Sequence, residues 1–232
     1  MFRKISPLFL LVLIACSASR NSVTTHPENT RIKLTTDSGI VIIRLYDKTP
    51  LHRDNFIKLV RQHYFDSLLF HRVIKNFMIQ GGDPDSKNAK AGELLGNGGP
   101  SYTIPAEFDS TLFHKKGVLA AAREGDKVNP QKASAGSQFY IVQGKIYTDA
   151  GLDSVEKYRL KRKIPEWQRA VYKTTGGTPQ LDMNYTVFGE VESGLEVIDK
   201  IAGTTTDKNN RPLRDIRMKI EITRAKRNKS KK

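Results

Sequence analysis

The hydrophobic pattern of this chain is a succession of short strands. Apolar, β-branched runs cover 31–36 and 40–46, and Thr36-Asp37-Ser38-Gly39 between them is a turn signal, which predicts a hairpin. A run of small residues at 117–122 and the runs at 137–142 and 186–192 read as further strands. At 215–223, Ile216, Met218, Ile220 and Ile222 alternate with polar residues, as in a half-buried strand. Two stretches switch to the helical period. Thr49 and Pro50 suit the N-cap and first position of a helix whose stripe is Phe56, Leu59, Val60 and His63. Leu195, Ile198, Ile201 and Ala202 form a second stripe, stopped by Gly203. The polar segments 83–102 and 124–135 read as loops. His52 and His63 show no partner along the chain and are assigned to the surface or to the helical cap.

One stretch departs from a plain core. The runs 69–74 and 77–80 are strand-like, split by Lys75-Asn76 and stopped by Gly81-Gly82-Asp83-Pro84. Alternation puts Arg72 and Ile74 on one face of the first run, and pairs Phe77 with Ile79 and Met78 with Gln80 in the second. A cation and an amide then sit beside large apolar side chains. Buried polar groups need partners, so Gln80 is expected to hold Arg72.

Segment 145–178 predicts two helices, near 152–163 and 165–173, with Pro165 at the first helical position of the second and Gly176-Gly177 as its stop. It carries Trp167, the only tryptophan, and reads either as a surface embellishment or as a lid touching substrate or partner. There is no internal repeat, metal-ligand cluster, phosphate-cradling glycine motif or paired catalytic acid and base, so neither metal nor cofactor is expected. Ser137 and His114 lack the nucleophile-elbow pattern of a hydrolase.

Charge and the first residues add an address. The net charge is +15 over 232 residues, part of it in Arg224, Lys226, Arg227, Lys229, Lys231 and Lys232. Residues 225–232 read as a solvated basic tail, and without a nucleic-acid motif no nucleic-acid partner is expected. Residues 1–15 read as a signal peptide: Arg3 and Lys4 precede a short apolar run at 8–14, below the ~20 residues of a membrane span. Leu13-Ile14-Ala15-Cys16 resembles the bacterial lipobox, which implies a diacylated Cys16, the chain's only cysteine. That resemblance places the protein in the bacterial cell envelope, lipid-anchored to a membrane, at the outer membrane facing the periplasm. Residues 16–30 are then the lipidated cysteine and a flexible tether, and 31–224 a single domain, expected to be monomeric.

The stretch Phe70-His71-Arg72, then Phe77-Met78, Gln80 and Gly81-Gly82-Asp83 resembles the signature of cyclophilins, the β-barrel peptidyl-prolyl isomerases. The match continues through Gly117–Arg123, Gly136–Val142, Leu181-Asp182 and Val187–Val191, and 104–108 resembles the short strand and turn beside the site in bacterial members. It spans roughly 31–224, with 145–178 as an insertion. The resemblance implies a mainly β fold: a closed eight-stranded antiparallel barrel capped by two helices. It implies isomerisation of X-Pro bonds in peptides and unfolded protein clients. Arg72 is the implied catalytic residue. Phe77, Met78, Tyr140 and Leu181 are the implied proline pocket, and Gln80 the group that orients Arg72. Ala122, the main chain of Arg123, Gln138 and Tyr185 are the other implied substrate contacts. His71 is structural on this view. Tyr140 adds a hydroxyl to the pocket, and Gln180 and Tyr185 stand where drug-sensitive members have tryptophan and histidine. A cyclophilin-fold binding module without turnover is the second function class the sequence allows.

Overall fold

The computed structural model describes residues 30–223; the leader, Cys16 and the basic tail lie outside them. Eight strands form one antiparallel sheet: β1 (Arg31–Thr36), β2 (Gly39–Leu45), β3 (Arg72–Ile74), β4 (Met78–Gly81), β6 (Val118–Ala121), β8 (Phe139–Val142), β9 (Val187–Ser193) and β10 (Lys219–Thr223). Between these, β5 (Thr103–Ile104) and β7 (Ser134–Ala135) pair as a separate ribbon, so the segment expected to be all loop at 124–135 ends in a strand. The order of the sheet is β10-β1-β2-β9-β6-β8-β4-β3. Thr30, at the end of the expected tether, is already buried, and its carbonyl accepts from the Leu45 amide.

The period of two builds both sides of this sheet. Ile32, Leu34, Ile43, Ile79, Leu119, Phe139 and Ile141 point inward to one core. In the centre of the sheet the alternate residues Met78, Ala120, Tyr140, Val142 and Val187 form a second apolar cluster on the opposite face. β6 and β8 are therefore buried at every position, which is why they read as continuous apolar runs.

The sheet curls but does not close as a continuous ladder, contrary to the expected closed barrel. Its two ends, β3 and β10, are not paired strands. Instead the segments leading into them meet at one isolated antiparallel bridge, Leu69–Arg217, through Met218 N–H to Leu68 O at 2.9 Å and Phe70 N–H to Ile216 O at 3.0 Å, with Ser67 N–H to Met218 O at 2.9 Å beside it. Ser67, at the start of this segment, lies in the left-handed region at φ 68°.

Helices α1 (Pro50–Arg61) and α4 (Leu195–Ala202) cap the curl, burying Phe56, Ile57, Leu59 and Val60 from one, and Val197, Ile198, Ile201 and Ala202 from the other. Gly39 in the β1–β2 turn has φ 141°, and a Cβ there would stand 2.7 Å from Val197 of α4, so turn and helix fit only without a side chain. Pro50 begins α1 as expected, but Thr49 makes no side-chain cap bond. The Glu107 carboxylate takes that place, accepting from the amides of Leu51 at 3.0 Å and His52 at 2.9 Å. His63 is exposed beyond the helix end. His52 is not a partnerless surface group: it is buried between Glu107 and Ser134.

The insertion holds α2 (Asp149–Val155), a π-helical turn at Glu156–Leu160 and α3 (Glu166–Thr174). The first helix starts earlier than expected and stops earlier, where Lys161 turns left-handed at φ 56°. Pro165 is the N-cap of α3 rather than its first residue. Leu152, Ile164, Tyr172 and Phe113 make a small core of their own, and Trp167 packs edge-on against Phe113 at 5.2 Å. Among the described residues no helix is long and apolar enough to cross a membrane.

Candidate active site

Register explains how distant residues meet. Arg72 faces Gln80 across β3–β4, Gln80 faces Tyr140 across β4–β8, and Tyr140 faces Ala120 across β8–β6. One row thus crosses the outer face of the sheet. Ile74, Met78 and Val142 form the parallel row beside it. Phe77 sits in the β3–β4 turn, where Asn76 is left-handed at φ 61°, and its carbonyl is held by the amides of Gln143 and Gly144. Leu181 ends a short 3-10 turn, Pro179–Leu181, and Tyr185 precedes β9. Together, Arg72, Phe77, Met78, Gln80, Ala122, Arg123, Tyr140, Leu181 and Tyr185 line a pocket of about 120 Å³.

Arg72 is half-buried, and burial lowers the pKa of its guanidinium. Such a group remains charged at working pH. Its Nη1 donates to Gln80 Oε1 at 3.1 Å and stands 4.0 Å from Met78 Sδ. No carboxylate pairs with it among the described residues, and its other N–H groups have no partner there. Gln80 is itself fixed, its Nε2 donating to Gln138 Oε1 at 3.0 Å. Gln138 Nε2 in turn donates to the carbonyls of Gly96 and Gly98, both at 2.8 Å. Asp83 shapes that loop by accepting from the amides of Asp85, Gly96 and Gly98. A chain of neutral amides therefore aims the cation without neutralising it. Gln138 does not line this pocket but lines the larger cavity beside it.

A second cavity of about 580 Å³ adjoins the pocket, sharing Gln80, Ala122 and Arg123 with it and extending along 96–100. The main-chain N–H and C=O of Arg123 at this junction take no partner among the described residues. The Arg123 side chain folds back: Nε donates to Asn184 O at 2.7 Å, and the guanidinium lies 4.5 Å from the Tyr185 ring centre. It thereby props the tyrosine that borders the pocket.

The Tyr140 hydroxyl, expected as an addition to the pocket, is engaged behind it. It lies 2.9 Å from His114 Nε2, while His114 Nδ1 lies 3.0 Å from Asp182 Oδ1. Asp182 also accepts the Tyr172 hydroxyl at 2.7 Å. All four side chains are buried. A carboxylate can only accept here, so Nδ1 carries the proton and Nε2 accepts from the phenol. Burial pushes the Tyr140 phenol well above its ordinary pKa, so it stays a donor. His71 is buried with neither ring nitrogen bonded, and burial, with Arg72 and Arg211 nearby, outweighs Asp83 and lowers it to about 4.

A family model described as cyclophilin type peptidyl-prolyl cis-trans isomerase/CLD matches residues 31–222. The chain belongs to the cyclophilin family of peptidyl-prolyl isomerases. A provisionally named peptidyl-prolyl cis-trans isomerase of Staphylococcus haemolyticus is 32% identical over 187 residues, covering 80% of this chain and 87% of that protein. A provisionally named bifunctional phosphatase/peptidyl-prolyl cis-trans isomerase of Streptococcus pyogenes is also 32% identical, but this chain spans only 37% of its length. The crystal structure of a Cryptosporidium parvum cyclophilin-type isomerase superimposes with a TM-score of 0.63 at 25% identity, covering 85% of this chain and 99% of that one. A second structure of the Cryptosporidium protein, in the presence of the dipeptide Ala-Pro, matches with a TM-score of 0.62 at 24% identity and speaks to the fold alone.

Cyclophilin chemistry needs no nucleophile, and the hydrolase pair does not form. Ser137 donates to Gly82 O at 2.7 Å, far from the partners of His114. Ser134, His52 and Glu107 do stand in the order of nucleophile, base and acid, at 2.9 and 2.6 Å. Ser134 is only 1% exposed, however, so this trio pins α1 to β7 and is closed to substrate. No residue of the insertion lines the proline-sized pocket, yet Tyr172 of α3 reaches its back wall through Asp182 and His114. Glu107, His114, Asp182 and Tyr172 carry no local signal for these roles, because each partner is remote in sequence; Asp182 and Glu107 lie in stretches that resemble the family, but neither stretch announces the partner.

Proposed function

We propose that this cyclophilin isomerises X-Pro bonds in peptides and unfolded clients, with Arg72 as the catalytic residue. What carries the reading is the unneutralised Arg72 guanidinium at the edge of a 120 Å³ pocket. Drug-sized ligands take roughly 300–1,000 Å³, so this pocket suits one small ring. Phe77, Met78, Tyr140 and Leu181 surround the proline, and the free main chain of Arg123 pairs with the residue before it.

Amide rotation faces a barrier of ~18–20 kcal/mol, set by resonance across the C–N bond. In the twisted state the nitrogen lone pair is localised and accepts a hydrogen bond. The spare N–H groups of Arg72 supply it, and they do so only in that state, which lowers the barrier rather than deepening either ground state. No bond breaks and no proton moves, which fits a buried, neutral His71. Exchange NMR on a short Ala-Pro peptide tests the proposal. Exchange clearly faster than in the free peptide is expected; exchange at the free-peptide rate would leave a binding module.

We further propose that Cys16 is acylated and that 16–30 tethers the domain to the cell envelope, at the outer membrane facing the periplasm. The support is Leu13-Ile14-Ala15-Cys16 behind a short apolar run, all outside the described residues. Two or more acyl chains anchor stably where one does not. Cys16→Ser is expected to release the protein into the soluble fraction; an unchanged membrane fraction and no acyl mass on wild-type Cys16 would defeat the proposal.

A further inference from the structure

The insertion bears a groove of about 470 Å³, lined among others by Lys145, Ile146, Tyr147, Ser154, Arg159 and Gln180. Four observations give it a character. Its wall holds two exposed cations, Lys145 and Arg159, and no carboxylate. Neither cation has an ion-pair partner among the described residues; Lys145 Nζ merely lies 5.2 Å from the Tyr147 ring centre. The acids of the neighbouring helical segment are engaged elsewhere: Asp149, Asp153 and Glu156 fall on one stripe and bind Arg169 at 3.0, 3.0 and 2.8 Å. Ile146, 65% exposed, adds an apolar surface to the positive one.

The groove also shares a partition with the proline-sized pocket. Gln180 lines the groove and accepts from the Tyr147 hydroxyl at 3.3 Å, while its neighbour Leu181 lines the pocket. Both belong to the single turn Pro179–Leu181. A chain leaving the pocket over this turn, at ~3.3 Å per extended residue, enters a positive groove with one apolar contact.

We infer that the groove is a second subsite for the polypeptide whose proline occupies the pocket, and that it takes acidic side chains flanking that proline. The inference rests on the isomerase reading and narrows it, from X-Pro segments in general to X-Pro segments with nearby Asp or Glu. The contacts are solvent-accessible ion pairs, so they bias affinity and encounter rate rather than the rotation itself, and salt weakens them.

The test uses the full chain and peptides containing one Ala-Pro, with a Glu-Glu pair moved through successive positions on either side. Gln-Gln and Lys-Lys peptides of the same design are the references. Affinity is read by titration and turnover by exchange NMR. At one or more positions the Glu-Glu peptide is expected to bind about three- to tenfold more tightly than its Gln-Gln counterpart. That preference, a ratio within each protein, should disappear in Lys145→Glu/Arg159→Glu, shrink in the milder Lys145→Gln/Arg159→Gln, and fade at high salt. Equal affinities at every position, or a preference that survives charge reversal, would overturn the inference. So would vesicles of anionic lipid, or a single-stranded oligonucleotide, binding through these two cations while acidic peptides do not. Turnover of short Ala-Pro without any Glu preference defeats the groove and leaves the isomerase standing. A Glu preference without turnover supports the groove and defeats the isomerase.

Discussion

Arg72 and Arg169 are the same side chain in opposite settings. Arg169, 11% exposed, is surrounded by Glu156, Asp153 and Asp149, with Glu166 at 3.8 Å; burial alone would lower its pKa, but Glu156, Asp149 and Asp153 raise it above the ordinary value. Arg72 meets one neutral amide, and burial lowers its pKa. The first cation is consumed by the fold and ties α2 to α3. The second is aimed by the fold and left unneutralised. What separates Arg169 from Arg72, the proposed catalytic residue, is the charge of the group that orients it.

Removing each cation breaks the comparison most directly. Arg72→Ala should lose roughly 100- to 1000-fold in turnover, the loss of one preorganised donor worth about 2.7–4 kcal/mol, while proline peptides still bind around Phe77 and Met78. Arg169→Ala should instead lower the thermal midpoint, by roughly 5 °C, with a far smaller change in turnover. Exchange NMR and thermal melts on both variants check this, and equal losses of turnover would erase the distinction.

Acid sharpens it next, because the two regions should fail in different windows. His71, beside Arg72, titrates near 4 in the fold against an ordinary 6.5. The unfolded chain therefore takes the proton first. Its contribution is complete above pH 6.5 and is lost as pH falls toward 4, an effect of about 3 kcal/mol. Glu156, beside Arg169, has the opposite balance: burial would raise it, but Lys163, the Ile164 amide and Arg169 hold it at about 2 against an ordinary 4.5. Its contribution is complete above pH 4.5 and is lost as pH falls toward 2. Urea midpoints across pH, with Trp167 fluorescence reporting the insertion, should show global stability falling before the tryptophan responds. A tryptophan change that comes first would reverse the order.

The smallest effect tests whether the regions are coupled. Tyr172→Phe removes one hydrogen bond to Asp182, worth about 1 kcal/mol, or roughly fivefold in kcat/KM if the full amount reaches the pocket. In a Tyr140→Phe background, where the hydroxyl at the far end is gone, the same change should do nothing to kcat/KM. Identical losses in both backgrounds would make Tyr172 a purely local support.

How much of this was legible in the sequence follows from distance along the chain. The pocket wall from Arg72 to Gln80 could be read because the strand period fixes which side chains share a face, and β3–β4 is a local hairpin. The caps Pro50 and Gly203 were legible for the same reason. His52 reads as partnerless in the sequence because its partners, Glu107 and Ser134, lie 55 and 82 residues away. The Tyr140 hydroxyl reads as part of the pocket because nothing near it in the chain announces His114, 26 residues earlier. The seam between β3 and β10 joins segments remote in the chain at a single bridge, Leu69–Arg217, and nothing local to either segment announces that the pairing stops there.

The cap that Glu107 lends to α1 has a consequence for the order of folding. A helix whose first amides are satisfied by a neighbouring threonine can mature alone as the chain emerges. Here the Thr49 hydroxyl is unbonded and the acceptor comes 55 residues after His52, so the first turn of α1 lacks its acceptor until the loop before β6 has been made and docked. The helix that covers the core and the segment that carries Glu107 therefore depend on each other for their order. For the mature protein the same link means that the Leu51 and His52 amides open to solvent when that loop lifts, rather than when the helix frays.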